Sequence, residues 1–325
     1  MYNHKEVRNH YTEFIYDKIT AKSPKKFYKL YKKGYLFGHI TIDDNKKLEL
    51  YNFLLLLKDD VDKYTCLGNC YLFGYSGSQD IEKARYWFSK ALELNDPRAQ
   101  YGLAGTYDFS SCTLEEQQKV IKLYKMASDQ GLALAKYNLG VIYSGELNYP
   151  QDYQKAFSLF KEVAETGYLS AQYNLAIYYE FGNGTEVNIE KAIYWFEKAA
   201  NSGHVSSQFN LGVIYSKGEL VPKDYKKAIY WYKEAASQDD TGALYNLGVL
   251  YENGEGVSKS HSMALYYFTR AARLNESQAQ CILGICYADG YGVKQDYQKA
   301  RYWLNRALKL NNPHALEVLK SIEGK

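Results

Sequence analysis

Apolar positions along the chain follow a helical spacing and recur as whole blocks. The segments 135–143 (AKYNLGVIY), 171–179 (AQYNLAIYY), 207–215 (SQFNLGVIY) and 243–251 (ALYNLGVLY) are variants of one motif. Taking the small residue after its Leu as a reference gives Gly68, Ala104, Gly140, Ala176, Gly212, Gly248 and Gly284, each 36 residues after the last. Within the motif, Ala, Leu, the small residue and Tyr lie at spacings of four, one and three, which places them on one helix face. A second helical pattern follows each motif, as in 82–92, 190–200 and 226–236. No strand-type alternation is visible. The pattern therefore predicts an all-α chain of paired helices of about 13 residues.

The register extends beyond the clear copies. Stepping back from Tyr71 predicts Tyr35, which is present, and stepping forward predicts Ala315 and Leu319, also present, with Lys320 in the small-residue place. This gives a basic extension over 1–26, eight repeats over 27–314 and a capping helix over 315–325. Asp44, Asp80, Glu116, Asp152, Asn188, Asp224, Ser260 and Asp296 are the expected N-caps of the second helices. Asp59, Asn95, Gly131, Gly167, Gly203, Asp239, Asn275 and Asn311 follow them, all types that tolerate a left-handed C-cap. Small residues at the reference and at Ala84, Ala156, Ala192, Ala228, Ala264 and Ala300 are expected to let helices approach while Trp or Leu fills the next layer.

The motif A-x-Y-N-L-G-x-x-Y, then G-x-G-V, then D-x-x-K-A-x-x-W-[FY]-x-K-A-A, at a 36-residue period, resembles the Sel1-like repeat family, relatives of the tetratricopeptide repeats. The resemblance covers about 290 residues and is sharpest in repeats 4–8. Repeat 3 departs from it, with Ser110-Ser111-Cys112-Thr113 in place of the Gly-rich turn. It implies a right-handed α-solenoid of stacked antiparallel helix pairs, TPR-like, acting as an adaptor or scaffold in protein binding.

Composition narrows the function classes. The 40 Lys and Arg nearly balance 37 Asp and Glu, so no nucleic-acid partner is expected. Residues 1–33 hold nine Lys or Arg against Glu6, Glu13 and Asp17, a local excess of +6. That cluster reads either as a solvated helix face or as a dock for an acidic partner or an anionic membrane surface. No apolar leader and no membrane-length apolar run appear, and five irregularly spaced cysteines do not form a disulfide framework. A cytoplasmic protein with buried thiols at Cys66 and Cys70 is the expectation.

No cofactor, metal or catalytic motif emerges. Gly182-Asn183-Gly184, Gly254-Glu255-Gly256 and Gly290-Tyr291-Gly292 lie between helices of one repeat, without the preceding strand of a phosphate loop. The six histidines are scattered and the unbroken register leaves no room for a catalytic insertion. A non-catalytic protein is expected.

By analogy with tetratricopeptide repeats, the first helices line a concave groove. One column of it reads Tyr101, Tyr137, Tyr173, Phe209, Tyr245 and the next Asn138, Asn174, Asn210, Asn246. Rings beside carboxamides suit an extended peptide, and Asp108, Glu180, Glu252 and Asp289 alongside favour a partner with basic residues. The same columns can instead pack between helices, with Asn bonded inside the solenoid. Of the 35 tyrosines, 24 fall in fixed columns and are expected to bury the ring in solenoid packing. The leading functional expectation is a partner-binding adaptor. The alternatives are an immunity or inhibitor protein that clamps a toxin or enzyme, and a ligand-binding hydrolase.

Overall fold

The computed structural model describes residues 19–32 and 40–324. It forms two compact units, one reaching to Asn188 and the other starting at Ile189.

In the first unit, β1 (Ile19–Thr20) and β2 (Ile40–Thr41) pair in parallel, a short bridge the sequence pattern did not predict. Helices α1 (Pro24–Lys32) and α2 (Lys47–Leu55) close this end, with Phe27, Tyr31, Leu50 and Leu54 fully buried. Then come α3 (Val61–Leu72), α4 (Ile81–Leu92), α5 (Pro97–Ala104), α6 (Leu114–Asp129), α7 (Ala133–Tyr143), α8 (Tyr153–Glu165) and α9 (Leu169–Phe181). The second unit comprises α10 (Ile189–Asn201), α11 (Val205–Lys217), α12 (Tyr225–Ser237), α13 (Thr241–Asn253), α14 (His261–Arg273), α15 (Ser277–Asp289), α16 (Tyr297–Lys309) and α17 (Pro313–Ser321). Within each unit consecutive helices pack on one another, so every repeat buries its apolar stripes only against its neighbours. Lys5, Arg8, Lys18, Lys33, Tyr35 and His39 lie outside the described residues, whereas Lys22, Lys25, Lys26, Lys29 and Lys32 of the basic N-terminal cluster are described and exposed.

The caps explain where the helices begin and end. Asp80, Asp152, Asp224, Ser260 and Asp296 each accept the amide hydrogen two or three residues on. Each such cap contributes about 1 kcal/mol. Two expected caps are corrected. Glu116 is the third residue of α6, and Thr113 is its cap in a reciprocal capping box, which starts the helix a turn early. Asp44 opens a 3₁₀ turn instead. At the other ends, Asn95, Gly131, Gly167, Gly203, Asp239, Asn275 and Asn311 all have positive φ. Both glycines of each G-x-G element do too, which makes these elements helix-to-helix turns.

The small reference column is a contact surface. A methyl group on Gly248 would lie 2.5 Å from the Phe268 ring, and one on Gly212 2.4 Å from the Tyr232 ring. The residue filling the neighbouring layer is therefore Phe88, Phe160, Tyr232, Phe268 or Leu304, one place after the expected Trp. The recurring D-x-x-K also acquires a physical role. Its Asp caps the helix while its Lys lies over the conserved-register Tyr, as for Lys83 over Tyr71 (5.6 Å), Lys155 over Tyr143 (5.3 Å) and Lys299 over Tyr287 (5.4 Å).

Candidate functional site

The two groove columns are anchored in the repeat core. Tyr101, Tyr137, Phe209 and Tyr245 each lean on the second-helix ring of their own repeat (Tyr124, Phe160, Tyr232 and Phe268), with centroids 5.6–6.0 Å apart. Tyr101 and Tyr137 are buried, which corrects the expectation that they line a surface. Tyr173, Phe209 and Tyr245 are half-buried.

The Asn column is largely committed as well. Asn138 hydrogen-bonds to Tyr124 and Asn246 to Tyr232. Asn174 donates to the Tyr137 hydroxyl at 3.4 Å. Where the residue 14 places upstream is Tyr, Asn finds its hydroxyl there. For Asn174 and Asn210 that residue is Phe160 or Phe196, which offers none. Glu180 is half-buried, and burial raises its carboxyl above the usual range.

The second unit adds a cavity that the columns did not announce. It has a volume of about 380 Å³ and lies among α13, α14 and α15. Val249, Leu265, Phe268, Ile282, Ile285 and Cys286 form its apolar wall. Two substitutions in the repeat pattern mark it: Ile282 stands in the Asn column, and His261 stands where Tyr153, Tyr225 and Tyr297 occupy the same position.

Three polar groups converge at its edge. His261 Nδ1 is 2.9 Å from Glu252 Oε2, and the Tyr291 hydroxyl donates to Glu252 Oε1 at 2.9 Å. Tyr291 also packs edge-on against the imidazole, with centroids 4.8 Å apart. Burial works to raise the Glu252 carboxyl, but the hydrogen bonds from His261 and Tyr291, with the Lys259 ammonium 3.8 Å away, outweigh it and hold it below the usual range. The site therefore presents an ionised carboxylate beside an apolar cavity. Of the predicted residues only Glu252 belongs to it. His261, Ile282 and Tyr291 were missed as site residues, and the departure of His261 and Ile282 from repeat columns was the available signal.

The Cys286 thiol in the wall is pushed up to about 11 by burial and by the Glu252 charge, so it stays protonated at neutral pH. Among the described residues, no cluster of three His, Cys, Asp or Glu could hold a metal ion, and no helix is long and apolar enough to cross a membrane. Cys66 and Cys70 are free, buried and adjacent, as expected of structural thiols.

Seven consecutive copies of the Sel1 repeat model match residues 67–96, 97–132, 133–168, 169–204, 205–240, 241–276 and 277–312. The chain belongs to the Sel1 repeat family. Helices α1 and α2, the proposed first repeat, lie before the matched Sel1 region. A Sel1 repeat protein from Oxalobacter formigenes is 27% identical, with a TM-score of 0.70 over 92% of this chain and 86% of that one. A protective antigen of uropathogenic Escherichia coli strains with an SLR fold is 23% identical, with a TM-score of 0.68 over 93% and 67%. The immunity protein Pa5087 from Pseudomonas aeruginosa is 20% identical over 66% and 82%, with a TM-score of 0.42, too remote to bear on function. No curated protein gives a significant match.

Proposed function

We propose that this Sel1 repeat protein is a non-catalytic adaptor that holds a partner peptide by one bulky apolar side chain in the cavity among α13, α14 and α15. Sel1 repeat proteins generally mediate protein–protein interaction. The observation that carries the specific reading is the ionised Glu252 beside an apolar cavity of about 380 Å³, a volume suited to one large side chain. The apolar wall takes the anchor and the carboxylate takes a Lys or Arg next to it in the partner. The reading includes a reducing, cytoplasmic setting, supported by five free cysteines.

Selection of a phage-displayed random dodecapeptide library on the purified protein tests this. Enrichment of sequences with a bulky apolar residue beside Lys or Arg is expected, with binding lost in a cavity-filling Leu265→Trp variant of unchanged helicity. Enriched peptides that bind that variant as well as the wild type would refute the cavity as the anchor site.

A further inference from the structure

The second helices carry a surface that neither the repeat packing nor the cavity uses. Tyr86, Tyr194, Tyr230, Tyr266 and Tyr302 occupy one repeat position and are all 51–55% exposed. They were expected to bury their rings. Instead, the aromatic residue that follows each of them is the more enclosed of the two: Trp231 and Tyr267 are buried, and Trp87, Trp195 and Trp303 are half-buried. In the second unit this makes a column of four consecutive exposed rings on α10, α12, α14 and α16.

The rings at the end of this column are held in place. Tyr266 packs edge-on against Tyr267 at 5.1 Å, and Tyr302 against Trp303 at 5.0 Å. Arg306, one turn after Tyr302, donates to its hydroxyl at 3.1 Å and to Asn275 Oδ1 at 2.6 Å. Arg270, one turn after Tyr266, hydrogen-bonds to that tyrosine and donates to Asp239 Oδ1 at 2.7 Å and to the Ala236 carbonyl at 3.0 Å. These bonds tie α14 to the end of α12 and α16 to the end of α14, which keeps neighbouring rings in line. Fixed aromatic rings lose little entropy when they are covered.

The charge around these two rings is predominantly positive. Neither α14 nor α16 contains an Asp or Glu. Arg270, Arg273, Arg306 and Lys309 follow the tyrosines, and of these Arg270 pairs with Asp239. Arg273 and Lys309 are exposed. On α10 and α12, in contrast, Glu190, Glu197 and Glu234 interrupt the basic character. A long polyphosphate chain following the whole column would meet these acids, whereas a short acidic segment spans only the last two rings.

We infer that the face of α14 and α16 bearing Tyr266 and Tyr302 docks an acidic partner segment with interspersed apolar residues. Its carboxylates pair with Arg273, Arg306 and Lys309, and its apolar side chains cover the two tyrosine rings. The face turns away from Ala264 and Phe268, hence from the cavity, so it acts independently of the anchor site.

Fluorescence anisotropy with a fluorescein-labelled alternating Glu/Leu dodecapeptide tests this on the full chain. Saturable binding that weakens with added salt is expected. Affinity should fall about tenfold or more in Arg273→Glu/Lys309→Glu and in Tyr266→Ser/Tyr302→Ser, and should survive Leu265→Trp. Tyr266→Phe/Tyr302→Phe, which keeps the rings, should bind within about threefold of wild type, and circular dichroism establishes that each variant is folded. Absent binding, equal affinity for an alternating Lys/Leu peptide, or unchanged affinity in both disruptive variants would overturn the inference. So would preferential binding of labelled dT20 or of phosphatidylserine vesicles over the acidic peptide.

Discussion

Gln238 donates a hydrogen bond to the buried Oε1 of Gln208 at 3.0 Å. Gln208 in turn donates to the carbonyl of Ala200 at 3.0 Å, near the C-terminus of the preceding helix. The arrangement satisfies a helix-end carbonyl through a buried carboxamide and then satisfies that carboxamide from the next helix end. Gln280 repeats the first half, donating to Ala272 at 3.0 Å, but its buried Oε1 has no partner. The donor position is Leu310, 44% exposed, with φ −97° and ψ 19°, close to the −102° and 19° of Gln238.

Leu310→Gln is therefore expected to stabilise the protein by about 1 kcal/mol, because it supplies the missing donor at little loss of burial. Gln238→Leu should cost a similar amount by orphaning Gln208. Urea unfolding of both variants checks the pair. An unchanged midpoint for Leu310→Gln would show that water already serves Oε1.

Gly248 sets the spacing of its helix pair, since a methyl group there would meet the buried Phe268 ring at 2.5 Å. Gly248→Ala should destabilise by about 1–3 kcal/mol through overpacking. Leu in place of Phe268 would not relieve the clash, since a methyl group on Gly284 would lie 2.4 Å from Leu304 in the next repeat. Phe268→Ala should itself cost about 3–5 kcal/mol yet remove the atoms the new methyl meets. A double-mutant cycle by thermal unfolding should thus return a favourable coupling. Additive losses would contradict the contact.

These relationships were unequally legible in the sequence. The left-handed positions, such as Asp239 and Asn275, were readable because positive φ restricts residue type. Helix α6 was misplaced because the local pair Thr113 and Glu116 outcompetes the period. The Tyr302 ring was assigned to the core because periodicity cannot say which of adjacent apolar residues turns inward: Trp303 is half-buried and Leu304 fully buried. The Asn column was visible, but its hydrogen bonds to Tyr124 and Tyr232 depend on a second helix 14 residues upstream. The cavity went unread because the column breaks at His261 and Ile282 do not by themselves say what the two residues meet, and they join Tyr291 only in the folded repeat.

Glu252 carries a pH signature. Despite burial, the hydrogen bonds from His261 and Tyr291 depress its pKa, so the unfolded chain binds this proton first as the pH falls. The contribution is present above the ordinary Glu value of about 4.3 and is lost as the pH drops through the depressed folded value. Glu252→Gln removes it. The stability difference between wild type and this variant, measured by urea unfolding, should be larger at pH 6 than at pH 3. A constant difference would show that the carboxylate is not stabilised by His261, Tyr291 and Lys259.

The thiols report on the same cavity. Cys66, Cys70, Cys281 and Cys286 are buried, and Cys112 is half-buried. Burial raises the thiols of Cys66, Cys112, Cys281 and Cys286, with Cys286 pushed up to about 11. Titration with a chromogenic disulfide reagent at pH 8 should label Cys112 first and leave the other four slow until denaturant is added. Ile282→Ala enlarges the cavity beside Cys286 and should speed the labelling of that thiol alone. Equal acceleration of all buried thiols would mean that the substitution loosens the whole unit instead of opening the cavity.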